Sequence, residues 1–403
     1  MMQFRKIISK AAAGLLSAAL AGLFTTAGYY SEKLPDTITS ASIGEFSIAE
    51  YPEIKLCSAD VHADRATLSL FGAIPVKSVE FTQTEAPVFV TGGSPFGIKL
   101  LMEGVMITGL GDVETASGKT VCPAAEAGLK TGDIVRTADG KTLTSNLQLQ
   151  AIITKSGGAP IPLSVERDGD SFDTVLTPVF SERANQWKGG MWVRDSIAGI
   201  GTMTFIDKST GRFAGLGHPI CDSDTGGMVP LHSGEAVPVD ITDTKRGGRG
   251  IPGELHGLFT AGKSIGTLDT NTECGIFGQL SSDAMEKFTS QGEELRLGYR
   301  QDIRTGAAQV CTTINGDTPQ KYDITIEKID YNSADKSKNM MIRITDPELL
   351  EASGGIVQGM SGSPIIQNGM LIGAVTHVFV SDPSCGFAVF AENMACQLDC
   401  GSN

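Results

Sequence analysis

The sequence predicts a mainly β protein with two folded units behind an N-terminal export segment, on three grounds. Its 403 residues exceed what one core comfortably serves. Its 49 glycines and 6% aromatic content suit many short strands and tight turns better than long helices. Its apolar stretches are short, alternate with polar residues and stop at pairs such as Asp139-Gly140, Asp168-Gly169 and Asn368-Gly369, which favour two-residue hairpins. A formal net charge of -14, without a long Lys/Arg block, argues against nucleic acid as a partner.

Residues 1–30 read as a targeting segment. Arg5, Lys6 and Lys10 precede a weakly polar run from Ala11 to Gly28. Thr25 and Ala27 offer a small-x-small cleavage site, yet the run also approaches the shortest span of a bilayer, so signal peptide and retained membrane anchor both stay open. Either way, the chain beyond about Tyr30 is expected outside the cytoplasmic membrane. Residues 31–86 form an N-terminal extension. The eight cysteines, Cys57 to Cys400, lack paired C-x-x-C spacing, so neither a metal nor a cofactor is indicated, and their pairing stays open.

Residues 87–182 alternate strands with short helices. In Pro123 to Leu143, PAAEAGLKTGDIVRTADGKTL, a helix starts at Pro123, stops at Gly128 and turns through Thr131-Gly132-Asp133 into a strand. Asn146 can cap a second helix, which Gly157-Gly158 ends. The run A-x-x-A-G-L-x-x-G-D-x-V resembles that of PDZ domains, an α+β fold. The resemblance implies that a peptide C-terminus, or the protein's own chain, joins a sheet edge. It also places the carboxylate loop at Ser94 to Ile98, with Pro95, Phe96, Gly97 and Ile98 as peptide-binding residues.

After a linker, Trp187 to Met191, residues 187–403 read as short Gly-bounded strands of a barrel or sandwich. The segment Gly354 to Val380 carries the chemistry. Small residues around Ser361 let the chain turn sharply, so the backbone N–H groups of Gly359 and Ser361 can face an oxyanion while the hydroxyl faces a substrate. A serine needs an imidazole to take its proton. His218 ends a strand-turn-strand unit well upstream and suits that role; His377, nearer in sequence, is the rival. The order His…Asp…Ser leaves Asp222, Asp240, Asp243 and Asp346 all open as the orienting carboxylate.

The serine loop, hairpin and following strand resemble chymotrypsin-like proteases, a double β-barrel fold. With LFGAIPVKSVEF, TGRFAGLGH, NTECGIFG and GGIVQGMSGSPIIQNGMLIGAVTHVFV, the chain is similar nearly end to end to the SpoIVB peptidase family of endospore-forming bacteria. That resemblance implies a serine endopeptidase with the triad His218, Asp346 and Ser361. It further implies export to the space between mother cell and forespore, self-cleavage, and cleavage of a membrane-bound regulator of an intramembrane protease, which leads to activation of a late sporulation sigma factor. Family members usually have Gly-His-Gly-Ile where this chain has Gly217-His218-Pro219-Ile220, which puts the loop geometry in question. Three rival readings stand beside this one. Gly257 to Ser264, GLFTAGKS, matches a phosphate-binding loop but lacks a following helix. Cys221 offers a thiol without a glycine loop around it. The third is a non-catalytic exported PDZ scaffold that recruits a membrane partner.

Overall fold

The computed structural model describes residues 2–41, 46–60, 64–115, 117–260 and 264–400. A helix runs from Met2 to Lys33. No helix among the described residues is long and apolar enough to cross a membrane. The extension after it is folded. Thr37–Ser40, Ile54–Asp60, Arg65–Leu70 and Ile74–Gln83 form a four-stranded sheet. Ile38, Leu68, Val79 and Phe81 of this sheet are buried in one cluster with the core of the C-terminal barrel.

Two strand barrels make up the larger unit. Phe96, Ile98, Leu100, Met203, Phe213 and Ile276 fill the first. Val310, Ile324, Ile342, Ile365, Val375 and Phe390 fill the second. Between them Phe89, Phe205, Phe277, Leu371 and Val389 form a shared apolar layer, closed by Met394 and Leu398 of the C-terminal helix Ala391–Cys400. The hairpins sit where the sequence predicts them. Asp139, Asp168 and Asn368 have φ of 51°, 53° and 52°, each followed by a positive-φ glycine, as the mirror-image turn requires.

The PDZ unit does not precede the two-barrel unit; it is inserted into it. Pro95–Leu110 and Met191–Ile206 are each 16 residues long and lie antiparallel. Near the barrel, Pro95 faces Thr202 and Leu101 faces Ser196; farther out, Met106 faces Arg194 and Ile107 faces Val193, with the register slipping between Arg194 and Ser196. Past the slip, Val105 and Met106 pair with Val135 and Ile134 of the PDZ unit. The boundaries 87–182 and 187–403 are therefore corrected: Val88 to Met102 belongs to the first barrel and Met191 to Arg194 to the PDZ unit.

The same pairing corrects the peptide-binding residues. Pro95, Phe96, Gly97 and Ile98 are buried strand residues facing Gly199 to Thr202 on one edge, and Gly97 and Ile98 face Val237 and Ala236 on the other. A strand bonded on both edges has nothing left to offer a peptide. A Cβ on Gly97 would sit 2.6 Å from the Phe259 ring and 2.7 Å from Val237 Cγ2, so this glycine makes room for those two side chains. The PDZ unit carries a different groove, between the helix Asn146–Ser156 and the start of Met191–Ile206. It encloses about 340 Å³ and is lined by Leu149, Ile153, Trp187, Met191 and Val193 among others. Ser145, not Asn146, caps the helix, accepting from the Gln148 amide. The expected linker forms one end of this groove. Gln186–Lys188 pairs with Val179–Ser181, and the amides of Gly189 and Gly190 have no acceptor among the described residues.

Candidate active site

Ser361 lies in a loop between the helix Pro347–Ser353 and the strand Pro364–Gln367. The loop is pinned through four of its amides. Gln358 N donates to Gly253 O (2.9 Å), Met360 N to Val357 O (3.1 Å), Gly362 N to Val375 O (2.8 Å) and Ser363 N to Met360 O (2.9 Å). The amides of Gly359 and Ser361 donate to no acceptor among the described residues, as an oxyanion-binding pair must. Gly359 at φ 99° and Gly362 at φ 94° supply left-handed backbone that other residues rarely adopt. The first barrel fixes the loop from the opposite side. Thr202 N donates to Ser361 O (2.9 Å), Thr202 Oγ1 to Gly359 O (2.8 Å) and Thr204 Oγ1 to Gly362 O (2.8 Å).

His218 follows the strand Arg212–Gly215 through a turn in which Leu216 and Gly217 have φ of 67° and 71°. Its Nδ1 lies 2.8 Å from Pro219 O. A carbonyl oxygen only accepts, so Nδ1 carries the proton and Nε2 keeps a lone pair, the form a general base needs. The backbone oxygen of Pro219 thus does the tautomer-setting usually given to a carboxylate. Pro219 itself, the departure from the family pattern, leaves that oxygen in place.

The His218 ring lies against that of His377, with centroids 4.9 Å apart and planes tilted by 39°. Burial pushes the His218 imidazole below the usual range, partly opposed by the Pro219 hydrogen bond. Burial first, then repulsion from His218 and Lys338, lowers His377 to about 4, with Asp335 opposing. Nδ1 of His377 is buried and has no hydrogen-bond partner among the described residues. The Ser361 hydroxyl donates to Thr376 O (2.9 Å), one residue before His377, so the serine must turn about χ1 to offer its proton to an imidazole. The Ser361 hydroxyl and both imidazoles therefore lie about one segment, Thr376-His377 of the strand Met370–Phe379, with Oγ bonded to neither ring among the described residues. The sequence weighed His377 as a rival base and missed it as a neighbour, because ring contact across barrels leaves no trace in local spacing.

Asp346 is not brought to His218. It caps the helix Pro347–Ser353, with Oδ1 accepting from Glu348 N (2.9 Å) and Leu349 N (3.2 Å) and Oδ2 from Asp323 N (3.2 Å). These bonds turn its carboxylate to the backbone, and among the described residues His218 bonds to no carboxylate. Asp-Pro-Glu before an apolar run is itself a helix-start signal. Asp346→Ala is therefore expected to lower stability by about 1 kcal/mol, the typical value of an N-cap. It should leave labelling of Ser361 by a fluorophosphonate within severalfold of the unaltered protein; a loss of several orders of magnitude would restore the triad carboxylate.

Of the other candidate carboxylates, Asp243 lies 4.0 Å from His256, and Asp222 binds Arg194. Cys221 is exposed and its thiol is pushed up by partial burial, so it is not a poised thiolate. The phosphate-loop match begins inside the strand Glu254–Phe259, and the chain resumes as the strand Gly266–Thr272. Ala261, Gly262 and Lys263 lie outside the described residues.

Residues 185–395, more than half of the chain, match the family described as SpoIVB peptidase S55. The chain belongs to the SpoIVB peptidase S55 family. The S55 match covers both His218 and Ser361. The metalloprotease MmpA of Caulobacter vibrioides is 33% identical over 98 residues, 23% of this chain and 25% of that protein. The chain spans 22% and 25% of the length of the curated relatives it matches. Among solved structures, the thermostable serine protease AL20 from an extremophilic microorganism aligns with 51% of this S55 chain and 92% of its own, at 12% identity and a TM-score of 0.30. The PDZ domain of an SdrC-like protein from Listeria monocytogenes aligns with 23% and 87%, at 16% identity and a TM-score of 0.19.

Proposed function

We propose that this protein is an exported serine endopeptidase of endospore-formation signalling, with Ser361 as nucleophile and His218 as general base. The observation that carries the reading is the pair of unpaired amides, Gly359 and Ser361, beside the Ser361 hydroxyl, together with a His218 imidazole whose proton is held at Nδ1 and whose Nε2 can accept. The Ser361 proton passes to His218 Nε2 as Oγ bonds to the scissile carbonyl carbon. The oxyanion takes hydrogen bonds from the two amides, and the imidazolium then gives its proton to the departing amine. Water attacks the acyl-enzyme by the same route in reverse order, releasing the acid and restoring the hydroxyl.

Family membership supports the biological reading: self-cleavage near the N-terminus, then cleavage of a membrane-bound regulator of an intramembrane protease, which activates a late sporulation sigma factor. The groove between Asn146–Ser156 and Met191–Val193 is where we place a peptide C-terminus, with the unpaired Gly189 and Gly190 amides available to its carboxylate. The Ser361–Thr376 bond is what favours the alternative, a non-catalytic scaffold. The full chain is expected to shorten at its N-terminus on incubation and Ser361→Ala to stay intact. Equal shortening of both overturns the proposal.

A further inference from the structure

The segment that begins with the catalytic base is organised around a buried carboxylate. Asp222, four residues after His218, has a fully buried side chain whose Oδ1 accepts from Asp224 N and Thr225 N, each at 3.0 Å. Its backbone closes the same loop, with Asp222 N donating to Gly227 O (2.9 Å) and Gly226 N to Asp222 O (2.8 Å). Asn271 holds the loop's base, accepting from Ile220 N (2.8 Å) and donating to Ile220 O (2.9 Å) and Val229 O (3.0 Å). The remaining charge of Asp222 is met by Arg194, which bonds Asp222 Oδ2 through Nη1 and Asp224 Oδ2 through Nη2 (2.7 Å).

Arg194 comes from the other unit. It is the last PDZ-side residue of Met191–Ile206 before the register slips, and it directly follows the groove residues Met191 to Val193. The next residue, Asp195, accepts from Asn146 N (2.8 Å), the first residue of the groove helix. Both walls of the groove thus converge on residues 194 and 195. Elsewhere the contact is apolar, with Ile134 of the PDZ unit packed against the first-barrel cluster that holds Met106. Beside it a cavity of about 490 Å³ opens between Lys130 to Gly132 and the loop residues Thr225, Gly227 and Met228. Removing one partner of a buried ion pair leaves an uncompensated charge, so the loop is expected to shift in a variant without Arg194.

We propose that Arg194 is a positioning residue for His218 and the link by which the PDZ groove bears on the peptidase centre. This rests on the reading of Ser361 and His218 as nucleophile and base. The test uses the full chain, with Arg194→Met, Arg194→Lys, Asp195→Ala and, as control, Arg167→Met, which unpairs another buried carboxylate, Asp133, wholly inside the PDZ unit. Two signals are read: the rate at which a fluorophosphonate labels Ser361, and the ring resonances of His218 in protein labelled at histidine. Arg194→Met is expected to slow labelling at least tenfold and to move the His218 resonances. Arg194→Lys should recover part of both, Asp195→Ala should move the resonances less in the same direction, and Arg167→Met should change neither. Unmoved resonances in Arg194→Met, or an equal effect of Arg167→Met, overturn the positioning role; unmoved resonances in Asp195→Ala overturn the link to the groove. Absence of labelling in the unaltered protein would instead count against the serine reading, while the resonances still judge Arg194.

Discussion

Replacing His218 with Ala is expected to slow reaction at Ser361 by roughly four to six orders of magnitude, the range seen when the base of a serine nucleophile is removed. Only the two unpaired amides and substrate binding remain to help such a variant. His377→Ala should cost far less, because His377 touches the His218 ring while the Ser361 hydroxyl bonds to the carbonyl of the preceding residue, Thr376, and not to the His377 ring. The pH dependence has a definite sign. A base works in its neutral form, and burial lowers the His218 pKa, so the rate should hold as pH falls below the ordinary imidazole value of 6.5 and drop only at the lower, folded value. A rate that declines already above pH 6.5, or a His218→Ala variant within tenfold of the unaltered protein, would remove His218 from this role.

The second large effect is structural. A Cβ on Gly362 would lie 2.1 Å from Thr202 O and 2.5 Å from Leu216 N, and φ there is 94°. Both obstacles are backbone of the first barrel, which cannot swing aside as a side chain can. Gly362→Ala is therefore expected to cost about 3 kcal/mol or more and to silence Ser361 by parting the serine loop from Thr202 and Thr204. Urea unfolding with an unchanged midpoint would show that the two barrels are not held as tightly there as these contacts imply.

These two sites show what the sequence discloses and what it hides. Gly362 and Ser361 sit in a local pattern of small residues whose geometry follows from the residue types, and the Asx-Gly hairpins are equally local. The long strands Pro95–Leu110 and Met191–Ile206 are different. Each serves the barrel with one half and the PDZ unit with the other, and nothing local says which partner each half will find. The assignment of Pro95 to Ile98 to a peptide loop failed for that reason. The sequence did hold one usable sign, Gly189-Gly190-Met191, a glycine pair opening an apolar strand beside the groove. Asp346 shows the opposite risk: a resemblance supplied a role, while Asp-Pro-Glu already announced a helix cap. Pro219 O and Arg194 escaped notice because a backbone oxygen has no signature and an arginine paired across units reads as ordinary surface charge.

The most direct measurement is to treat the full chain with a fluorophosphonate, digest it and locate the adduct by mass spectrometry. A single adduct on Ser361, absent when the protein is unfolded beforehand, is the predicted result. An adduct on another residue, or none on a folded chain that still cleaves peptides, would contradict the claim that Ser361 is the nucleophile.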